Sequence, residues 1–415
     1  MKQNVFACLS PSIAVLAAIL IVGSAAVSAQ WKETPLHQFG AADGRAPYGR
    51  LIADANGNLY GTTALGGALG KGNVFELANG GSTGIWTETV LYTFTGGSDG
   101  SQPYGGLIFD AAGNLYGTTL AGGASKFGTV YQLTPPAGGT GNWTQTVLHS
   151  FTGGGDGKAP QSDLILDHAG NLYGTTTKGG FPAIGVVFEL TPPATPGGAW
   201  TETVLHRFPA KDGDSPRASV IMDSKGALYG TLANGGASGA GAVFRLVPPA
   251  RPGGAWSAKT IYTFTGGVDG FGPLSRLVLW KGNVYGTTVT GGASGVGTVF
   301  ELRPSANHQA PWTETVLHSF GCMSDGCYPW AGLIMDASGS FYGTTQFGGL
   351  PANGGTVFKL EQQGGVWNES VLFGFMEPLD QISASGLLFD AGGELYGTTI
   401  GDTMRAGMVF RLEHP

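Results

Sequence analysis

The sequence predicts an all-β fold: a seven-bladed β-propeller of four-stranded blades, its ring closed by an N-terminal strand that completes the last blade. Three observations predict it. The motif Tyr-Gly-Thr recurs with its tyrosine at Tyr60, Tyr116, Tyr173, Tyr229, Tyr285, Tyr342 and Tyr396, at gaps of 56, 57, 56, 56, 57 and 54 residues. A fixed period of this size marks a repeat architecture and overrides the two or three domains that 415 residues would otherwise suggest. Within each period lie four short β-rich segments separated by glycine, proline, asparagine and aspartate, which is the make-up of one propeller blade. Finally, the two ends complement each other. Trp31 to Phe39 is a fourth-strand segment with no unit before it, and Met408 to Leu412 is a third strand with no fourth strand after it. Pairing them closes a ring and removes the exposed edges that an open array would leave.

The second unit shows the order of elements. Gly106 to Asp110 reads as a first strand, Ala111 to Gly113 as a tight turn, and Asn114 to Thr119 as a second strand. Gly128 to Leu133 is the third strand, Thr134-Pro135-Pro136 opens a loop, and Trp143 to Phe151 alternates as a fourth strand. No window carries a 3.6-residue period, so helices are not expected. The open alternative, a β-solenoid, gives no reason for complementary ends.

Composition bounds the class. The chain holds 74 glycines and 23 prolines, but the glycines do not fall at every third position, so collagen is excluded. Hydrophobic residues make up 42%, placed periodically, which argues against disorder. Charged residues are only 12% with a net charge of −7, and clustered lysine and arginine are absent, so no nucleic-acid partner is expected. Residues 1–29 read as a signal peptide: Lys2 gives a positive start, Ile13 to Val22 an apolar core, and Val27-Ser28-Ala29 a small-residue cleavage site. The apolar core is short for a membrane span. Residues 30–415 are then one propeller domain, secreted or periplasmic, with no membrane association after cleavage, and expected as a monomer. Cys322 and Cys327 remain in the mature chain, and two nearby cysteines in an exported loop favour a disulfide over zinc.

Features shared by all units read as scaffold. Trp31, Trp86, Trp143, Trp200, Trp256, Trp312 and Trp367 open the fourth strand and are expected to wedge at the blade edge rather than stack on ligand. The slot His37, Tyr92, His149, His206, Tyr262, His318 and Phe373 accepts phenylalanine, so it is a packing position and not a metal site. Turns such as Asp110-Ala111-Ala112-Gly113-Asn114 use aspartate to bond local amides and glycine for positive φ. The glycine of Tyr-Gly-Thr lets a neighbouring ring or backbone approach closely.

Two constellations could carry chemistry. The loops from fourth to first strand carry Asp43, Asp99, Asp156, Asp212, Asp269, Asp325 and Asp380. Gathered near the channel, they could hold a calcium ion through oxygen ligands. The Asp-Gly pairing instead favours each aspartate capping its own loop, so no cofactor is expected. The second constellation varies between units. After the loop proline come Tyr48, Tyr104, Gln161, Arg217, Leu274 and Trp330, and two residues later Arg50, Gly106, Asp163, Ser219, Arg276 and Gly332. Residues two apart share a strand face, so both sets are expected to line the channel mouth. Aromatics, arginines and an acid there suit a polar ligand, carbohydrate or peptide. No G-x-S-x-G elbow, H-E-x-x-H or Walker A motif occurs, so no catalytic residue is assigned.

The run Gly170-Asn171-Leu172-Tyr173-Gly174-Thr175-Thr176, followed by Gly-Gly and by Val187 to Pro192, resembles the Gloeo/Verruco tandem repeat family over nearly the whole mature chain. A looser likeness to NHL-type propellers lies in Leu-Ile-x-Asp-x-x-Gly-Asn-Leu-Tyr. The family resemblance implies an exported bacterial repeat protein and no particular activity. Such proteins often carry a C-terminal anchor. This chain ends at Glu413-His414-Pro415 without a hydrophobic tail, which leads to the expectation of free secretion or a periplasmic place. The functional expectation is a binding module at the channel mouth. The rivals are a carbohydrate-active lyase or hydrolase at the same mouth, acting through Asp163, and a purely structural envelope protein.

Overall fold

The computed structural model describes residues 31–414, apart from 82–83, 140, 181–183, 196, 210, 252, 306–310, 351–352, 377–384 and 402–405. The expected signal peptide and Asp380 lie outside the described residues. Among the described residues, 28 strands form seven antiparallel sheets of four, and there is no α-helix. The first complete blade contains β2 (Ile52–Ala53), β3 (Leu59–Thr63), β4 (Asn73–Ala78) and β5 (Thr87–Thr93), hydrogen-bonded in chain order from the channel outward. The expected second strand at Asn114 to Thr119 is Leu115–Thr119, and the third and fourth are Thr129–Thr134 and Thr144–Ser150.

Ring closure is as the ends imply. The seventh blade consists of β26 (Leu388–Phe389), β27 (Leu395–Thr399), β28 (Met408–Glu413) and β1 (Lys32–Gln38), with β1 as its outer edge. Lys32 lies opposite Glu413 and Gln38 opposite Met408. Pro35 is tolerated in β1 because an edge strand has one side without ladder bonds.

The core lies between blades. The phenylalanine at or just past the end of each outer strand meets the ring of the next blade's third strand, edge-on in every seam but Phe208–Phe244, where the rings are tilted. Phe39 meets Phe75 at 5.0 Å between centroids, Phe94 meets Tyr131 at 5.1 Å, and Phe375 meets Phe410 at 5.2 Å. All six rings are at most 4% exposed. Each such burial contributes about 2 kcal/mol from area alone. This arrangement explains the glycine in Tyr-Gly-Thr. A Cβ on Gly61 would lie 2.6 Å from the Phe75 ring, and one on Gly117 2.5 Å from the Tyr131 hydroxyl. The tyrosine of the motif ties the hairpin turn to the sheet. Tyr116 donates its hydroxyl to Asp110 Oδ2 at 2.9 Å, while Asp110 Oδ1 accepts the amides of Ala112 and Asn114. The tryptophans wedge across seams: Trp86 packs 6.1 Å from Tyr396, and Trp200 6.1 Å from Tyr116.

The innermost strands are shorter than the sequence implies. Gly106 to Asp110 yields ladder pairing only at Ile108–Phe109. The residues before it are held by side chains instead. The first threonine after Tyr-Gly reaches the next blade: Thr62 Oγ1 donates to Gly105 O at 2.9 Å, Thr118 to Ser162 O at 3.0 Å, and Thr175 to Ala218 O at 3.1 Å. In the closing seam Thr398 donates to Pro47 O at 2.6 Å. The repeated motif thus fixes the channel-lining segment of its neighbour.

Candidate channel-mouth site

Five of the mouth segments enter through a strained turn. The residue before the loop proline has positive φ: 56° at Ala46, 58° at Gln102, 58° at Ala159, 57° at Ser215 and 58° at Tyr328. A left-handed conformation costs an L-residue about 1 kcal/mol or more. The proline then packs on a glycine of the preceding blade. A Cβ on Gly128 would lie 2.6 Å from Pro160, and one on Gly72 2.7 Å from Pro103. Strain and close packing together aim the next residues at the channel.

Those residues converge. Tyr48, Tyr104, Gln161, Arg217, Leu274 and Trp330 line an outer bowl of about 290 Å³. Beneath it a cavity of about 160 Å³ adds Arg50, Asp163 and Arg276, with Ser219, Gly332 and Gly386. Below Arg276 the channel turns apolar, a space of about 450 Å³ walled by the inner strands with Ile165, Met222, Leu279 and Ile334 among its residues. Tyr48 and Tyr104 stack at 5.0 Å with 24° between planes. Trp330 is 41% exposed. Burial, and then Tyr104, push the Tyr48 phenol upward from its usual range, so it stays a neutral donor.

The charged residues are not equivalent. Arg50 Nε lies 3.5 Å from Asp163 Oδ2, and Asp163 Oδ1 accepts the Gly106 amide at 2.6 Å. Arg50 therefore crosses the second blade to reach the third. The crossing needs Gly106, where a Cβ would lie 2.7 Å from Arg50 O and 3.1 Å from Asp163 Oδ1. Gly386 on the other side would place its Cβ 3.3 Å from Arg50 Cδ. Arg276 makes no ion pair among the described residues, and its Nε is buried without a hydrogen-bond partner. Burial, then the charge of Arg50, oppose its protonated form, and Asp163 partly offsets them. The sequence places Gly106, Ser219 and Gly332 at the mouth, but that the glycines leave room for two arginines emerges only in the folded structure. The signal lay in the same ring position, where each arginine is followed one blade later by glycine.

The six loop aspartates among the described residues do not line the channel mouth. Each sits at the start of its loop, beside the outer strand, because the chain must cross the blade before reaching the channel. Asp99 Oδ2 accepts the Thr95 amide at 2.7 Å and the Tyr92 hydroxyl at 3.1 Å. Asp269 repeats this with Thr265 and Tyr262. Asp156 accepts the Thr152 amide at 2.7 Å, 3.4 Å from His149 Nε2. Asp325 bonds Gly321 N and His318 Nε2, and the amide of Asp212 donates to Pro209 O. The aromatic slot is therefore also a hydrogen-bonding position for its own loop. His37, Asp43 and Glu88 bring one ligand atom each within 4.8 Å of one another, a grouping of the size a metal ion needs. Glu88 comes from the next blade's outer strand.

That glutamate position is a second feature the sequence reading missed. Burial first, and the facing aspartate second, push Glu88, Glu202, Glu314 and Glu369 up to about 7. In the second blade the position holds Gln145, which donates to Asp99 O at 3.2 Å. A protonated glutamate presents the same donor.

Cys322 and Cys327 form a disulfide. It closes the loop that leads to Tyr328, Pro329 and Trp330, so it stiffens the approach to the one exposed aromatic of the bowl. Among the described residues no helix is long and apolar enough to cross a membrane.

The sequence profile of the Gloeobacter/Verrucomicrobia repeat matches residues 25–140, 82–300 and 251–415. No curated protein matches. Among solved structures, the extracellular domain of a proposed one-component system from B. thetaiotaomicron superposes with a TM-score of 0.55 at 13% identity. The match covers 92% of this chain and 42% of that one, so this chain spans less than half its length. A proposed 6-phosphogluconolactonase from Bacteroides uniformis gives a TM-score of 0.49 at 16% identity, over 82% of this chain and 88% of that one.

Proposed function

The chain belongs to the Gloeobacter/Verrucomicrobia repeat family, and from that premise we propose that it is an exported binding module which takes a carbohydrate or peptide at the channel mouth. One observation carries the reading. The repeated tyrosines, threonines and phenylalanines pack and bond mainly inside the molecule, whereas the side chains that differ between blades meet in one cavity with arginine donors and open aromatic faces. A rigid scaffold that presents variable residues at one concave place is the usual form of a ligand site. The disulfide favours an oxidising compartment. The protein acts as a monomer, with no nucleic-acid partner.

Asp163 does not favour the enzyme rival. It is the sole carboxylate lining the cavity among the described residues, and glycoside hydrolysis commonly uses two. It is also engaged with Arg50 and the Gly106 amide.

The test is a thermal-shift screen of the mature protein against oligosaccharides and short peptides, repeated with Trp330→Ala and Tyr48→Ala. A ligand that binds the native state raises Tm by mass action. Loss of the rise in both variants, at unchanged basal Tm, supports the mouth. A rise that survives both variants removes it.

A further inference from the structure

The protein as a whole is acidic, with 28 aspartate and glutamate residues against 21 lysine and arginine. The channel mouth has the opposite balance. Arg50, Arg217 and Arg276 face it with Asp163 as their only carboxylate among the described lining residues. Asp163 pairs with Arg50 and makes no ion pair with the other two among the described residues. Arg217 is exposed at the rim, so water and salt screen it. Arg276 sits at the floor of the polar cavity, above the apolar channel. Its Nε, like that of Arg50, is buried without a hydrogen bond, but unlike Arg50 it makes no ion pair among the described residues. A guanidinium at a concave site without a carboxylate partner is costly to keep charged, so an anionic ligand entering the cavity would relieve it.

The geometry points to a carboxylated sugar as the ligand: we propose that the mouth binds the terminal uronate residue of an acidic oligosaccharide, its carboxylate held by Arg276 and its ring faced by the aromatic rim. This rests on the channel mouth being the binding site. A carboxylate matches the forked donors of arginine in a bidentate pair. Three features favour sugar over acidic peptide. The stacked Tyr48 and Tyr104 and the exposed Trp330 offer flat apolar faces with polar edges, suited to the face of a sugar ring. The neutral donors and acceptors around the carboxylate position, Gln161 and Ser219, suit hydroxyl groups. The inner cavity, about 160 Å³, is smaller than the roughly 300–1,000 Å³ of sites that enclose a drug-sized ligand. It admits one terminal residue, and the wider bowl above it takes the next. The pairing of Asp163 with Arg50 leaves Arg276 without an ion-pair partner among the described residues.

The experiment is calorimetric titration of the mature protein with short oligogalacturonate, oligoalginate and hyaluronan fragments. Methyl-esterified or carboxyl-reduced versions of each, neutral oligosaccharides and an oligoglutamate peptide serve as comparisons. The expected result is binding of at least one uronate oligomer, at least tenfold weaker after esterification and weaker again as sodium chloride is raised. Arg276→Gln should weaken that binding tenfold or more, and Arg276→Lys should restore part of it. The esterification and salt arms use the unaltered protein, so they hold even if a variant folds poorly. Binding of neutral oligosaccharides that is lost in Trp330→Ala but unchanged in Arg276→Gln would overturn the carboxylate assignment and leave the mouth as the site. Preference for oligoglutamate would overturn it in favour of an acidic peptide. No binding by any uronate oligomer also overturns it, and binding insensitive to both Trp330 and Arg276 would remove the mouth itself.

Discussion

The seam between blades and the channel mouth are built from the same repeat, yet they treat polar groups in opposite ways. In the seam one solution is used again and again. Thr62, Thr118 and Thr175 each clasp a carbonyl of the next blade, and Phe39, Phe94 and Phe375 each meet the neighbouring ring edge-on. At the mouth the equivalent position is Arg50, Gly106, Asp163, Ser219, Arg276, Gly332 and Gly386 around the ring, with no two neighbours alike until the last pair. The seam repeats the same contacts, and even its buried glutamates recur from blade to blade, whereas the mouth leaves Arg276 without an ion pair among the described residues and Trp330 uncovered. The difference teaches that repetition here marks mutual support, and loss of repetition marks a surface released from it.

Several measurements would break or sharpen that contrast, ring closure moving stability most. Deleting residues 31–39 removes β1 and Phe39, leaving β28 as an open edge. The variant should lose cooperative unfolding or melt far below the parent, read by calorimetry; parental melting would mean that closure is dispensable. A single seam ring comes next. Phe94→Ala empties a fully buried position between the first two blades and should cost about 3–5 kcal/mol in denaturant unfolding.

The clasp is smaller. Thr118→Val keeps the shape but leaves the carbonyl of Ser162 without its donor, and should cost about 1–3 kcal/mol. Because Ser162 lies between Gln161 and Asp163, the same variant should also weaken ligand binding at the mouth, which a purely local packing loss would not do.

Glu202 gives a pH signature for the seam. It faces Asp156, with His149 and Arg207 nearby; burial and then Asp156 push it up to about 7, while Arg207 opposes the shift. A carboxyl raised in the folded state stabilises most below the unfolded value near 4.5, and that contribution is lost as pH rises to about 7. His149 works in the opposite sense: burial lowers it below 6.5, so its contribution is present above 6.5 and lost on acidification. Replacing Glu202 by Gln isolates the carboxyl, since Gln145 already serves in that slot. Tm of the parent and of the variant should coincide near pH 4.5, the parent falling behind by pH 8. A constant offset across that range would show that Glu202 does not titrate there.

The smallest stability effect belongs to the mouth. Trp330→Ala should leave unfolding within about 0.5 kcal/mol of the parent, as for other exposed substitutions, while reducing ligand binding strongly. A destabilisation comparable to Phe94→Ala would erase the distinction between seam and mouth.

Much of this was legible before any coordinates. The spacing of Tyr60 through Tyr396 gives seven blades, and the matched ends give the closing strand, because a repeat that buries its core against its neighbour leaves a periodic trace in the chain. The variable residues after each loop proline could also be picked out, since a scaffold position tolerates few changes and these tolerate many. Distance could not be read in this way. The loop aspartates were expected near the channel, but four to six residues are too few to cross a blade from its outer strand. The first strands looked longer than two residues because the β pattern extends over backbone that threonine side chains, not ladder bonds, hold in place. By itself the sequence determined what repeats, because burial forces the same residue types at each seam. Only the tertiary structure decided which unlike residues meet. Arg50 crossing to Asp163, and Arg276 left with its Nε unanswered, depend on blades separated by more than a hundred residues being bent to one axis, and no local pattern encodes that encounter.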